Sequence, residues 1–355
     1  MKKLKIISFS LGALAVIGAP IGIIVASKIS TNSSGISIVG QGSSSVKPII
    51  DSVMQDTYYD VEYQATGSGD GFKSQTGVKA TSAFGMTSSL KHPEDKEVAD
   101  QWGENNNRTL TFAVDAIGIV LNLPDGIIFP KGTRPEISIE EISKIYDLDT
   151  NTNTTWGSLL TNESLATTDN NSLSLIVNGL GRTGGKEASG TSDGFWHTLK
   201  KHMHSGNSSD ADLNHENLPP ENLTPEANSQ SLNILKEKES SLTYISLGYA
   251  LNNETSNAVI ASIKSGTDIW EPSIESVSDG TYKWTRPFNI IFSTDNKEAM
   301  TFVNFLLSPE VQDLIKAKNF VPLTKQQHSD QLPINETDLD RGADLLMGTN
   351  MGLKV

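Results

Sequence analysis

Three short stretches of this 355-residue chain combine glycine with hydroxyl side chains at spacings that suit anion binding. They are "GQGSSS" from Gly40 to Ser45, "GSGDG" from Gly67 to Gly71, and "RTGGKEASGT" from Arg182 to Thr191. Each follows an apolar, strand-like run and opens a helix-like one. The first N–H groups of a helix have no partner within the helix and carry the positive end of its dipole. Serine and threonine there can cap the helix or donate to an oxyanion, and glycine lets the backbone come close. One such loop reads as an ordinary cap. Three, with Arg182 adding a planar fork of donors, point to convergence on one anionic ligand. Plain capping stays open for the serines, and a surface ion pair with Glu187 stays open for Arg182.

Other chemistries find less support. A phosphate-binding P-loop needs glycine, four residues, then Gly-Lys-Ser/Thr. Here Glu187 follows Gly185-Lys186, and Leu180 stands where the first glycine belongs. The Gly-x-Ser-x-Gly elbow of serine hydrolases is absent from Gly42–Val46 and Gly67–Gly71. With no cysteine there is no thiolate nucleophile, disulfide, thiolate metal site or lipidated cysteine. His197, His202, His204 and His215 lie near one another in sequence, but their spacing fits no familiar ligand set, so no metal and no cofactor are expected.

The elements that must position these loops follow from hydrophobic periodicity. "ISIV" reads as a strand. Val46, Ile49, Ile50, Val53 and Met54 then fall on one face of a helix, with Pro48 in the first turn, where a missing N–H costs nothing. "VEYQAT", "TFAVDAIGIVLNL" and "SLIVNGLGR" read as further strands. Strands alternating with helices predict an α/β protein with mainly parallel sheets. The polar stretch 201–229 has no apolar period and reads as a surface excursion. Near the end, "NKEAMTFVNFLLSPEVQDLIKAKNFVPL" predicts two consecutive helices, the second restarted at Ser308-Pro309.

Composition bounds the partners. Hydrophobic residues at 36% and charged residues at 20% suit a globular chain large enough for two packed domains. A net charge of -14 argues against nucleic acid, whose binding rests on lysine and arginine. Local dipoles and hydrogen bonds, not the overall field, must therefore hold any anion. At the N-terminus, Met-Lys-Lys-Leu-Lys precedes an uncharged apolar run from Ile6 to Ala26, about the length one bilayer-spanning helix needs. Its basic flank should stay in the cytoplasm and send the remainder outside. An uncleaved anchor is favoured over a cleaved signal, because Ala26-Ser27-Lys28 is a poor cleavage site.

Taken in order, these segments resemble the phosphate-binding subunit of the Pst phosphate ABC transporter, a type II periplasmic binding protein, in the form found in Gram-positive and related bacteria. The resemblance runs from about Ile36 to Leu323. "GQGSSSVKPII" and "YQATGSGDGFK" are similar to the family's two phosphate loops, and "SAFGMTSSLK" to its "DIGMSSRxLK" segment. "AVDAIGIVLN", "GRTGGKEASGTSDGFW", "TYISLGYAL", "GTYKWTRPFNI" and "FVNFLLSPEVQDLIKAKNFVPL" follow in family order. The resemblance implies two α/β lobes joined by a two-strand hinge, closing on buried phosphate. By position, Ser44 and Ser45, joined by Ser68 and Ser88, would hold phosphate from one lobe, and Arg182, Ser189, Gly190 and Thr191 from the other. The implied layout is anchor and linker 1–34, first lobe 35–118 and 285–345, second lobe 119–284 with the insertion 201–229, and tail 346–355.

The chain departs from the family at positions 88 and 89 and in the Arg182 loop, which has extra residues, Gly184 to Glu187. Ser88 stands where enterobacterial members carry an aspartate, and Ser89 where the "SSR" arginine belongs. A carboxylate in such a site separates phosphate, which carries a proton to donate, from sulfate, which has none. Asp115, inside an apolar strand, is the candidate for that role, with a structural hydrogen bond to backbone as the alternative. The implied function is non-enzymatic: a monomeric, membrane-anchored extracytoplasmic receptor that passes inorganic phosphate to an ABC permease. A phosphatase on the same fold, or a surface antigen or adhesin without ligand, are the competing expectations.

Overall fold

The computed structural model describes residues 37–57, 60–76, 80–89, 107–147, 153–183, 188–202, 218–324 and 327. The expected N-terminal anchor, the tail, and most of the polar stretch with His204 and His215 lie outside them. No helix among the described residues is long and apolar enough to cross a membrane.

Ten strands among the described residues form one sheet. β1 (Ser37–Gly42) pairs in parallel with both β2 (Asp60–Gln64) and β3 (Phe84–Thr87). The helices α1 (Lys47–Asp56) and α2 (Ser68–Thr76) follow β1 and β2. As the spacing predicts, α1 buries Ile49, Ile50 and Val53, and Pro48 occupies its first turn. Beyond β3 comes the strand Thr285–Ser293, then β4 (Asn107–Asn122), both antiparallel to their neighbours. The sheet continues through Ser241–Ser246, Asn178–Arg182 and Leu223–Thr224.

β4 joins two cores. All 16 of its residues are buried, which suits its β-branched, nearly uncharged sequence. Its first part, Asn107 to Ala116, pairs with Thr285–Ser293. The second, Ile117 to Asn122, pairs with Ser241–Ser246. One hydrophobic core gathers Ile49, Val53, Phe84, Phe112, Phe288 and Phe302. The other gathers Ile117, Trp156, Phe195, Leu235, Tyr244 and Trp284. The long strand thus passes from one lobe to the next, and Thr285–Ser293 runs beside it at the crossing.

Three expectations are corrected. The sheet is mixed, not mainly parallel, because the crossing strands β4 and Thr285–Ser293 pair antiparallel on every side. Only the second half of "SLIVNGLGR" is a strand, Asn178–Arg182, and immediately before the segment Asn170–Leu173 is a short helix capped by Asp169, whose side chain accepts from the Ser172 N–H. The stretch 201–229 is not all surface. Leu223–Thr224 joins the sheet beside Gly181 and Arg182, and the helix Asn228–Glu237 begins with a buried Asn228. Its polar composition hid this, since the polar side chains that it buries face a polar site. The two C-terminal helices are Lys297–Leu306 and Pro309–Ala317, the latter capped by Ser308.

Candidate functional site

Local backbone bonds draw the first lobe's loops together. The Ser43 N–H donates to the Met86 carbonyl and the Gly67 N–H to the Gly42 carbonyl, both at 2.9 Å. Gly42 sits at φ 142°, where a Cβ would lie 2.0 Å from the Met86 oxygen, so only glycine fits this approach. Capping was one expectation for the serines of this loop. Instead, α1 has Val46 at its N-cap and no side-chain cap, and the Ser45 hydroxyl turns into the protein. Ser68, Ser88 and Ser43 form a buried hydroxyl chain: the Ser88 N–H donates to Ser68 Oγ at 3.0 Å, and the Ser88 hydroxyl meets those of Ser68 at 3.2 Å and Ser43 at 2.9 Å. Ser44 lies aside, donating to the Glu226 carbonyl at 3.3 Å.

The second lobe faces this chain with the helix Gly190–Leu199. Ser189 caps it, accepting the Ser192 N–H at 3.2 Å. Gly190 is packed so closely that a Cβ would lie 2.4 Å from Ser68 Oγ and 2.5 Å from Ser88 Oγ. Arg182, at the end of its strand, is 1% exposed, which excludes a surface ion pair. Its guanidinium donates to the Glu226 carbonyl, to Asn228 Oδ1 at 2.5 Å and to the Tyr244 carbonyl at 3.5 Å. Burial pulls its pKa down to about 10, with Glu226 opposing the shift. The same burial pushes the Tyr244 phenol up to about 12, so it stays a neutral donor or acceptor.

A second arginine completes the cluster. Arg286 lies directly opposite Asp115 in the antiparallel pairing of the two crossing strands. It is fully buried, and its Nε and Nη2 donate to Asp115 Oδ2 at 3.1 and 2.7 Å. Its remaining donors reach Ser45 Oγ at 2.9 Å, Ser88 Oγ at 3.2 Å and Thr191 Oγ1 at 2.9 Å. One guanidinium thus touches hydroxyls of both lobes. Burial lowers its pKa, and Asp115 counters that shift. The other Asp115 oxygen accepts the Gly248 N–H at 3.3 Å. Asn228 adds a further link between lobes, donating to Ser45 Oγ at 3.1 Å while holding Arg182.

Of the sequence-derived candidates, Ser45, Ser68, Ser88, Gly190 and Thr191 come together around Arg286. Arg182 and Ser189 lie beside them, Ser44 at the edge, and Asp115 beneath the guanidinium. Sequence reading missed Arg286, Asn228 and Glu226. A signal existed for Arg286: it and Asp115 are lone charges in apolar strands, and buried charges need partners. None existed for the other two, which stand in a stretch of loop composition. Among the described residues, no three His, Cys, Asp or Glu gather to suit a metal. Chemically, two buried guanidiniums and a ring of hydroxyls bring together the kinds of donor that a tetrahedral oxyanion accepts.

Comparison with known proteins agrees with this architecture. An uncharacterized lipoprotein of Mycoplasma genitalium is 27% identical over 309 residues, 78% of each chain. A phosphate ABC transporter substrate-binding protein of Clostridium perfringens, solved with bound phosphate, superposes with a TM-score of 0.58 at 19% identity, covering 81% of this chain and all of that one. A phosphate-binding protein of Stenotrophomonas maltophilia gives 0.56 at 16% identity, covering 83% and 92%. At such identities the two structures speak to the fold, a two-lobe α/β binding protein. The family model described as "PBP superfamily domain" matches residues 28–310, and the chain belongs to that superfamily of periplasmic-binding-protein-like folds.

Proposed function

We propose that this protein is an extracytoplasmic solute-binding protein that captures inorganic phosphate and delivers it to an ABC transporter permease, without making or breaking a covalent bond. The observation that carries the reading is the buried cluster in which Arg286 reaches Ser45, Ser88 and Thr191 from both lobes, with Arg182 alongside. A tetrahedral anion between these groups would take over donors that now engage one another. Affinity would come from many charge-assisted hydrogen bonds in a dry site, and release from separation of the lobes. Arg286 supplies the cation that Ser89 does not.

The name of the Mycoplasma genitalium relative, the location implied by the fold, and the apolar run Ile6–Ala26 support placement on the outer face of the cell membrane. Lipidation at cysteine is closed to this cysteine-free chain, so the apolar run itself would be the anchor.

The test is calorimetric titration of the full-length protein in detergent with phosphate. Saturable one-to-one binding is expected, weakened at least about 100-fold in Arg182→Ala, as befits loss of a charged donor from a buried site. Absence of heat and of any thermal shift with phosphate overturns the reading.

A further inference from the structure

Both oxygens of Asp115 are already engaged, by Arg286 and by the Gly248 N–H. A group whose lone pairs face fixed donors is poorly placed to accept a proton from a ligand. Ser88, the other candidate position, offers a hydroxyl, which can donate as readily as accept. Neither residue therefore explains how a site so rich in donors would refuse sulfate, which presents the same tetrahedron of acceptors as phosphate.

A different carboxylate borders the cluster. Glu226 lies between Leu223–Thr224 and the helix Asn228–Glu237, and its backbone carbonyl takes donors from Arg182 and from Ser44 of the opposite lobe. Its side chain neighbours the Arg182 guanidinium and accepts a hydrogen bond from Ser189. Ser189 can give that proton because its own oxygen accepts the Ser192 N–H. The Glu226 Oε1 atom is buried and has no hydrogen-bond partner. A buried carboxylate oxygen without a donor, beside two groups of the anion site, is costly unless a ligand supplies the donor.

We infer that Glu226 sets selectivity among tetrahedral oxyanions: its free oxygen accepts the proton that hydrogen phosphate carries, and repels sulfate, which has none to give. The assignment rests on the phosphate reading above. It differs from a simple counterion role for Glu226 toward Arg182, which would treat both anions alike. Burial raises the Glu226 pKa, and Arg182 and the Ser189 hydroxyl oppose that rise.

The experiment titrates full-length protein in detergent near pH 7.5 with phosphate, arsenate, sulfate and selenate, in wild type, Glu226→Gln and Glu226→Asp. Wild type should group the anions by protonation rather than size, binding phosphate and arsenate at least about 100-fold more tightly than sulfate and selenate. In Glu226→Gln, whose amide can donate, phosphate affinity should fall, sulfate affinity should rise, and the ratio should shrink at least about tenfold. Glu226→Asp, with its carboxylate drawn back by one methylene, should fall between. An unchanged ratio in a folded Glu226→Gln overturns the inference, and so does wild type binding sulfate as tightly as phosphate, whether or not the variant folds. Wild type binding none of the four overturns the phosphate reading itself and this inference with it.

Discussion

Arg286 and Asp115 form the most buried charge pair among the described residues, and the energetics of such pairs are asymmetric. Desolvating two ions costs free energy that their attraction and hydrogen bonds only roughly offset, but removing one partner strands the other. Arg286 escapes a worse cost because its remaining donors find Ser45, Ser88 and Thr191. Asp115→Asn should therefore destabilise the fold by about 3–5 kcal/mol in denaturant unfolding. A loss under about 1 kcal/mol would mean that the hydroxyls alone hold the guanidinium. The residue scale also explains the mixed legibility of the site. Ser45, Ser68 and Thr191 were readable as candidates because three loops of glycine and hydroxyl residues open helices, with capping as the alternative, whereas Ser88 was legible only through the family resemblance. Glu226 and Asn228 were not, because a polar residue packed against other polar groups is written in the same letters as one turned toward water.

At the scale of elements, the site depends on how closely the Gly190–Leu199 helix meets the first lobe. Gly190 is where the backbone passes against Ser68 and Ser88, and a methyl there would sit 2.4 Å from one hydroxyl and 2.8 Å from the Ser88 carbonyl carbon. The obstructing atoms belong to the other lobe, so the strain can be relieved by moving the lobes apart. Overpacking of this kind costs about 1–3 kcal/mol. Gly190→Ala should accordingly weaken phosphate binding about tenfold or more in calorimetry while leaving the thermal midpoint without ligand within a few degrees of wild type. A large fall in that midpoint with unaltered affinity would place the strain inside one lobe. The helix α1 carries the complementary lesson: its apolar face and Pro48 were plain from periodicity, but the serines before it serve the neighbouring arginine instead of its N-terminus.

The whole molecule sets an electrostatic problem for its proposed ligand. With a net charge of -14, it repels a phosphate dianion at long range, yet two buried arginines attract it at short range. Salt screens the first effect more than the second, since screening acts through solvent. Association with phosphate should therefore accelerate, by on the order of a few-fold, between about 0.02 and 0.2 M salt, opposite to the behaviour of a basic receptor. Stopped-flow tryptophan fluorescence can follow this, because Trp284 stacks on Phe195 at 5.2 Å just behind the site. Slower association at higher salt would show that the local positive potential extends to the entrance.

The sequence by itself determined the α/β class, the packed face of α1, the buried character of β4, the paired C-terminal helices and the three loops around which the site forms. These follow from local rules: periodicity, helix-terminus chemistry and the glycine backbone act over a few residues. Only the tertiary structure decided that Thr285–Ser293 runs antiparallel to β4 where that strand passes from one lobe to the next, that Asp115 faces Arg286 across 171 positions, and that residues 223–228 return from a polar stretch to border the site. Strand direction and register are set by which apolar faces can be buried together. A pairing between distant residues leaves its mark on neither residue alone.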